Sequence, residues 1–330
     1  MFERLSVFAG GCALAEGAVV CSDQEVADED VFDLFSSLVD KSLLVVDLEA
    51  SEARYWLLES FRQYAHEKLA ARRDCDLVAH SHALAYLGLA QSLDHAYYDE
   101  QEIFFRLGRE ELDNWRAALQ WALTDRGDAL LGQRLVGELC RFWQSFAPIE
   151  GRRWLLCALE LVDERTPPSI LARLSYTEAT IAQALGQHEV QLARSRSAVA
   201  RYRVLDDLLG VGLAQSQEIG ALLAFGLVAE AKSVLTDALQ LAHRVGNRWL
   251  LAWAQRASGS VSSADGDLVA ARVYLAEALQ NYEALGAQLE AAIAKYVLSA
   301  VDFRAGNAQQ ALRHAADALG PFARLIMRKA

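Results

Sequence analysis

ALGQ, residues 184–187, is the first of four glycine corners that recur every forty residues in this 330-residue chain. The other three are AFGL (224–227), ADGD (264–267) and RAGN (304–307). An alanine follows each corner glycine by twelve residues, at Ala198, Ala238, Ala278 and Ala318. One period earlier the corner falls on Phe146, and the matching alanine is Ala158. This self-similarity predicts a solenoid of about five forty-residue helical hairpins over residues 127–330.

The residue five after the corner is also small in most periods. The five positions are Gly151, Gln191, Ala231, Ala271 and Ala311. Positions five and twelve after the corner lie on one face of the second helix, where small side chains allow close helix packing. A corner glycine followed by these small residues resembles the tetratricopeptide repeat. The forty-residue period resembles the longer variant found in large bacterial signalling ATPases and in LuxR- or MalT-like activators.

The composition limits the class of protein. Apolar residues make up 53% of the chain, and only 4 prolines occur, which predicts a mostly α-helical globular protein with a sizeable core. The five cysteines have no metal-ligand spacing, so we expect buried thiols and neither metal nor cofactor. No run is long and apolar enough for a membrane span, and Glu3 and Arg4 cancel where an export signal needs positive charge. We therefore expect a cytoplasmic protein without a membrane partner.

The N-terminal third follows a different pattern. Apolar residues recur at helical spacing from Val31 to Val39, and two short strands are predicted at residues 43–48 and 54–58. A helix capped by Ser60 follows. Helices, a two-stranded wing and a further helix are the order of a winged-helix domain, which we predict over residues 1–72 with a helical linker over 73–126.

Four stretches resemble STAND-type (NB-ARC-like) ATPase regulators of the LuxR-, MalT- and SARP-associated kind. FERLSVFAGGCAL, LVDKSLLVV and YWLLESFRQYAHEKL resemble the winged-helix segment that follows the nucleotide-binding core in these proteins. ELDNWRAALQWAL resembles the helix that precedes their repeats. The chain has no Gly-x-x-x-x-Gly-Lys-Ser/Thr loop, so we expect no ATP hydrolysis and no enzyme activity. The resemblance implies that the nucleotide-binding core is missing and that an ATPase domain is a partner in cis or in trans.

The charge of residues 1–72 argues against DNA binding. This region has six basic and fourteen acidic residues, and the whole chain has a net charge of −12. The predicted helix that includes Val31 to Val39 offers Asp33 and Asp40, and the wing tip carries Glu49 and Glu52. Because DNA-binding proteins neutralise phosphates with clustered Lys and Arg, we do not expect direct nucleic-acid binding.

Aromatic and arginine side chains mark a candidate binding groove. In tetratricopeptide repeats the first helix of each hairpin lines a concave groove, and aromatic residues mixed with Arg are typical of protein-binding hot spots. The alternative for each of these residues is a place in the core between repeats. The candidates are Arg173, Tyr176, Gln183, Trp253, Arg256, Tyr296, Phe303 and Arg304.

The sequence thus predicts a non-enzymatic sensor or scaffold arm of a bacterial signalling or transcriptional regulator. It would bind a protein, a peptide or a small ligand in the repeat groove. The alternative is a DNA-binding winged-helix transcription factor, which predicts a gel shift with duplex DNA at low salt.

Overall fold

The computed structural model describes residues 1–22, 26–27, 30–47, 52–125 and 127–326. Two compact units divide the chain. Unit 1 comprises Met1–Ser92, Leu107–Glu138 and Leu156–Val162, and unit 2 comprises Leu93–Arg106, Leu139–Leu155 and Asp163–Ala330. The division into domains at residues 72 and 126 rests on sequence pattern and stays a prediction.

Unit 1 begins with a small sheet surrounded by short helices. The elements are a 3-10 turn (Arg4–Val7), β1 (Cys12–Ala13), α1 (Leu14–Cys21), α2 (Val31–Asp40), β2 (Leu44–Asp47), β3 (Arg54–Leu57) and α3 (Glu59–Ala70). The sheet is antiparallel with the order β1-β3-β2, and Leu44 pairs with Leu57. The two predicted strands are therefore confirmed, whereas residues 48–51 between them, with Glu49 of the predicted wing tip, lie outside the described residues. The winged-helix assignment stays a prediction.

β1 was not predicted, because a strand of two residues has no detectable periodicity. Gly11 precedes it with a φ of 74°, a left-handed conformation that favours glycine. A Cβ at this position would lie 2.7 Å from the carbonyl oxygen of Tyr55. The glycine therefore allows β1 to approach β3.

Five further helical elements follow α3. They are α4 (Cys75–Asp99), α5 (Gln101–Glu110), α6 (Leu112–Leu119), a π-helical turn (Gln120–Thr124) and α7 (Ala129–Glu138). The ends of α4 and α5 that adjoin each other belong to unit 2, and the rest of both helices belongs to unit 1.

A buried polar network organises unit 1. The Arg54 guanidinium pairs with the Glu111 carboxylate at 3.0 Å and also donates to the Gly10 carbonyl at 3.0 Å. Glu111 accepts from the Tyr86 hydroxyl at 3.0 Å, and Asn114 donates to Glu111 at 2.8 Å. Hydrogen bonds thus join the Gly10-Gly11 pair of FERLSVFAGGCAL to the start of ELDNWRAALQWAL, which gives both stretches a structural role.

His82 gives unit 1 a pH-dependent stability. Its ring packs edge-on against Phe8 and tilted against Tyr86, and burial lowers the pKa of His82 to about 4. In the unfolded chain a histidine has a pKa of about 6.5, so the folded state binds the proton less well. The stability is present above pH 6.5 and is lost as the pH falls towards 4, by about 3 kcal/mol in total.

Urea unfolding of the full chain at pH 7 and at pH 4.5 checks this expectation. The His82→Phe variant keeps an aromatic ring and removes the titration, so the loss between the two pH values should be smaller by about 2–3 kcal/mol than in the wild type. Equal losses in both proteins would show that His82 is not responsible.

Unit 2 contains four helical hairpins at the predicted spacing. Their helices are α10 (Pro168–Ala184) with α11 (His188–Val204), α12 (Leu208–Ala224) with α13 (Val228–Val245), α14 (Arg248–Asp265) with α15 (Leu268–Ala284), and α16 (Gln288–Arg304) with α17 (Ala308–Ile326). At the predicted first corner, α8 (Cys140–Phe146) ends and α9 (Pro148–Glu160) begins two residues later. The four later hairpins repeat every forty residues.

The corner glycines and the small residues have the expected geometry. Gly186, Gly226, Gly266 and Gly306 have φ values of 68°, 71°, 93° and 82°. A residue in the left-handed backbone conformation can end a helix without steric cost only when it lacks a Cβ, as glycine does. The alanines twelve residues after the corners are buried, as at Ala198 and Ala278. The alanines at the position five residues after a corner are buried too, as at Ala271. These positions pack the hairpins together, and the chain is mostly α-helical with repeat packing.

Candidate functional site

The first helices of the successive hairpins form a common surface in unit 2. We call the surface made by α8, α10, α12, α14 and α16 the groove. A segment of the same unit, Leu93–Arg106, lies against α8, α10, α14 and α16, and we call it the inner segment. It joins the end of α4 to the start of α5, and Glu100 N donates to Ala96 O at 2.8 Å, so a helical hydrogen bond spans the junction.

An ion pair joins the inner segment to α10. The Arg173 guanidinium lies 2.9 Å from the Asp94 carboxylate, and both side chains are largely buried. Arg173 was predicted as a groove residue, whereas its partner Asp94 was not. The pairing of two partly buried opposite charges fixes the position of the segment more firmly than an exposed pair would.

Glu290 of α16 receives two hydrogen bonds from the inner segment. The Tyr97 hydroxyl and the Gln101 Nε2 each donate to the Glu290 carboxyl at 2.5 Å, and Glu290 is only 4% exposed. Gln101 Oε1 also accepts from the Leu289 backbone N–H at 2.7 Å. Burial, and then the charge of Glu290, raise the pKa of Tyr97 well above its usual value, so its phenol remains a hydrogen-bond donor.

Arg141 of α8 is a buried cation beneath the inner segment. Its guanidinium lies 5.1 Å from the centroid of the Tyr97 ring and 5.6 Å from that of Tyr176. It donates to Gln144 at 3.2 Å, and none of the described carboxylates is paired with it. Cation–π contact of this kind is strongest where water is excluded.

Aromatic contacts also hold the inner segment against the groove. Tyr98 packs edge-on against Trp249 of α14 with ring centroids 4.8 Å apart. Phe105 packs against Phe146 of α8 with centroids 5.3 Å apart. The segment is therefore held by charge, by hydrogen bonds and by aromatic packing along the groove.

A cavity of about 380 Å³ remains beside the inner segment, which is within the size range of ligand pockets. Its walls are mostly apolar and aromatic. His95 and Tyr98 line it on the side of the segment, and Leu209, Leu213, Trp249 and Leu250 belong to the groove. Trp249 Nε1 is buried without a hydrogen-bond partner among the described residues.

The structure divides the eight predicted groove residues into two sets. Tyr176 and Trp253 are buried, and Arg173 and Arg256 are partly buried. Tyr176 is only 1% exposed and belongs to a core cluster with Ala172 and Tyr202. In this arrangement Tyr176 packs between helices, as the core alternative proposed.

The other four predicted residues are exposed. Gln183 accepts from Gln144 at 2.9 Å, and Arg304 donates to the Ser263 carbonyl at 2.8 Å. Tyr296 is 63% and Phe303 73% exposed. These two aromatic side chains lie seven residues apart and therefore share one face of α16. That the eight residues act together as a binding site stays a prediction.

Five residues of the site were missed by sequence reasoning: Asp94, Tyr97, Gln101, Arg141 and Glu290. Tyr97 and Gln101 lie almost 200 residues before their partner, and no periodicity connects such positions. The sequence does show a helical spacing among four residues of the segment, Asp94, Tyr97, Tyr98 and Gln101. An ordinary linker helix can have the same spacing on one face, so this signal does not indicate a place in a groove.

Neither a metal centre nor a membrane segment emerges from the described part of the chain. There, no three His, Cys, Asp or Glu side chains are grouped so that they could hold a metal ion. No described helix combines the length and the apolar character that crossing a bilayer requires.

Comparison with known sequences finds regulators that are much longer than this chain. No protein-family model matches it. A Mycobacterium tuberculosis protein provisionally named an HTH-type transcriptional regulator is 29% identical over 327 residues, which cover 94% of this chain and 36% of the relative. A Mycobacterium bovis protein of the same provisional name matches to the same extent. The chain spans about a third of the length of these relatives.

Comparison with solved structures finds helical-repeat proteins. A Rap protein complexed with competence and sporulation factor aligns with a TM-score of 0.60 at 16% identity, over 81% of this chain and 72% of that one. A STAND protein with a tetratricopeptide repeat sensor from Pyrococcus horikoshii aligns with a TM-score of 0.54 at 15% identity, over 98% of this chain and 50% of that one. At such low identity the likeness shows the fold alone. The chain therefore has a helical-repeat fold similar to that of tetratricopeptide-repeat proteins.

Proposed function

We propose that this chain is a non-enzymatic sensor or scaffold arm of a larger bacterial regulator, and that it binds a protein segment through the groove. The observation that carries the proposal is that the groove already holds a fourteen-residue helical segment, Leu93–Arg106, by side-chain contacts from α8, α10, α14 and α16. A surface that binds one helical segment in this way has the chemistry to bind another.

The comparisons support the proposal in two ways. The longer relatives are provisionally named transcriptional regulators, and this chain matches about a third of their length. One similar structure is described as a STAND protein with a tetratricopeptide repeat sensor, and another contains a bound factor. In this proposal the arm works in the cytoplasm, and an ATPase domain in cis or in trans is the module it controls.

DNA binding has no role in the proposal. The exposed side chains of α2 include Asp33 and Asp40, and residues 1–72 have eight more acidic than basic side chains. A DNA backbone would be repelled by this surface.

Exposed aromatic side chains on α16 provide the first test. Tagged wild-type chain and a Tyr296→Ala/Phe303→Ala variant are used to capture proteins from an extract of the source bacterium, with quantitative mass spectrometry. We expect at least one protein to be enriched about tenfold more by the wild type, because large exposed aromatic residues often dominate protein interfaces.

A Phe32→Ala/Tyr64→Ala variant is the matched control, since it removes two equally exposed aromatic residues from unit 1. It should capture the same proteins as the wild type. Equal capture by all three chains would contradict a role for this face of α16.

A further inference from the structure

We propose that the inner segment occupies the place of a partner, so that the chain carries a built-in competitor for its own groove. The partner that fits is an aromatic helical segment of another protein with a carboxylate in the place of Asp94. This inference rests on the proposed function and specifies both the chemistry of the partner and the state of the groove in its absence.

The contact residues of the inner segment have the spacing of a helical ligand. Asp94, Tyr97, Tyr98 and Gln101 follow the pattern i, i+3, i+4, i+7, and all four face groove helices. This is the spacing by which amphipathic helices dock into grooves in complexes between separate proteins. The segment therefore binds unit 2 in the manner of a docked peptide.

One charge of the inner segment meets an opposite charge of the groove. Among the acidic residues of the segment, Asp94 is partly buried, whereas Glu100 and Glu102 are exposed. On the groove side, Arg173 pairs with Asp94 at 2.9 Å, and the buried Arg141 lies against Tyr97. A partner needs a carboxylate for Arg173 and aromatic rings for the surface over Arg141 and Trp249.

The fit of the inner segment is imperfect in ways that a competitor could improve. The cavity of about 380 Å³ beside Tyr98 is unfilled by any described side chain. Several buried polar atoms at this interface have no hydrogen-bond partner among the described residues: Asp94 Oδ1, Arg141 Nε, Tyr176 Oη and Trp249 Nε1. Unpaired buried polar atoms weaken an interface. A partner with a bulky apolar side chain at the cavity and a further acceptor near Arg141 would therefore bind the groove better than the inner segment does.

A segment held in cis has an effective concentration in the millimolar range and blocks weak ligands. The apparent affinity for an external ligand is reduced by the fraction of chains whose groove is open. Substitutions that loosen the inner segment should therefore increase the affinity for an external copy of it, although they change no residue of the groove itself.

The experiment uses the full chain and a fluorescein-labelled peptide SLDHAYYDEQEIFFR, which is residues 92–106. Fluorescence anisotropy measures its binding to the wild type and to a Tyr97→Ala/Gln101→Ala variant. We expect the variant to bind the peptide at least tenfold more tightly. A peptide in which Asp94→Asn and Tyr97→Ala are both introduced should bind neither protein.

Two controls distinguish release of the inner segment from the groove from unfolding of the variant chain. A Gln63→Ala/Tyr64→Ala chain removes the same residue types from exposed positions in unit 1 and should behave as the wild type. Circular dichroism and thermal melting establish that each variant is folded. Because Tyr97 is buried, Asp94→Asn serves as a second variant that keeps the size of the side chain and weakens only the ion pair with Arg173.

If folded Asp94→Asn and Tyr97→Ala/Gln101→Ala chains bind the peptide no more tightly than the wild type does, the inference is overturned and the inner segment is a permanent part of the fold. If the double variant does not fold, Asp94→Asn alone decides. Capture of a protein through Tyr296 and Phe303 is measured separately. Both side chains are exposed on a part of α16 that the inner segment leaves uncovered, so binding there can persist when this inference fails.

Discussion

Replacing Glu290 with alanine is expected to lower the free energy of unfolding of unit 2 by about 3–5 kcal/mol. The carboxyl group is 4% exposed and accepts from both Tyr97 and Gln101. Its removal leaves two buried donors unpaired, and each unpaired donor costs about 1–3 kcal/mol. Urea denaturation followed by circular dichroism measures the loss, with the two units analysed as separate transitions where they unfold separately.

Glu283→Ala is the matched control for this result. Glu283 is an exposed carboxylate on α15 that pairs with Lys295 at 3.0 Å. Exposed pairs contribute little, so the loss should stay below about 1 kcal/mol. Similar losses for the two variants would mean that the inner segment is not anchored by Glu290.

Trp115→Ala is expected to destabilise unit 1 by about 3–5 kcal/mol, the usual cost of truncating a large buried aromatic side chain. Trp115 is completely buried, and its Nε1 donates to the Tyr86 carbonyl at 3.1 Å. The truncation creates a cavity beside the network of Arg54 and Glu111 and removes this hydrogen bond. Urea unfolding monitored by far-ultraviolet circular dichroism reports the change, since the variant has also lost a fluorophore.

Tyr64→Ala is the comparison for the tryptophan variant. Tyr64 lies on α3 in the same unit and is 55% exposed. Its truncation should change the free energy of unfolding by less than about 1 kcal/mol, as is usual for surface positions. A loss of several kcal/mol from Tyr64→Ala, or none from Trp115→Ala, would contradict the assigned core of unit 1.

Local signals made the repeat fold predictable. The corner glycines require a left-handed conformation, and the buried alanines such as Ala198 require close packing, so both constraints act within one hairpin and recur in each. The strands β2 and β3 were predictable for the same reason, because both are short runs rich in apolar residues and lie close in sequence.

Contacts between distant residues were not predictable. Asp94 and Arg173 are 79 positions apart, and Tyr97 and Glu290 are 193 positions apart. A single sequence contains no signal for such pairs, because each side chain is compatible with an exposed helix surface. The linker was consequently expected as a connection between domains, whereas part of it lies in the groove.

The burial of the candidate groove residues was also not predictable from the sequence. The repeat register identified which positions belong to the first helices, and the structure places all eight there. The repeat register could not distinguish Tyr176 from Tyr296, because both occupy the same repeat position. Tyr176 is buried, whereas Tyr296 is exposed. The difference arises from neighbouring helices and from the inner segment, which the register does not include.

Hydrogen exchange measured by mass spectrometry tests the occupancy of the groove most directly. In the wild type, the backbone amides of Leu93–Arg106 should exchange as slowly as those of the buried helix α10, because the segment opens only when its contacts with the groove break. In Glu290→Ala the same amides should exchange at least tenfold faster, while those of α10 change less. Exchange in the wild type as fast as in the free 92–106 peptide would show that the inner segment does not occupy the groove.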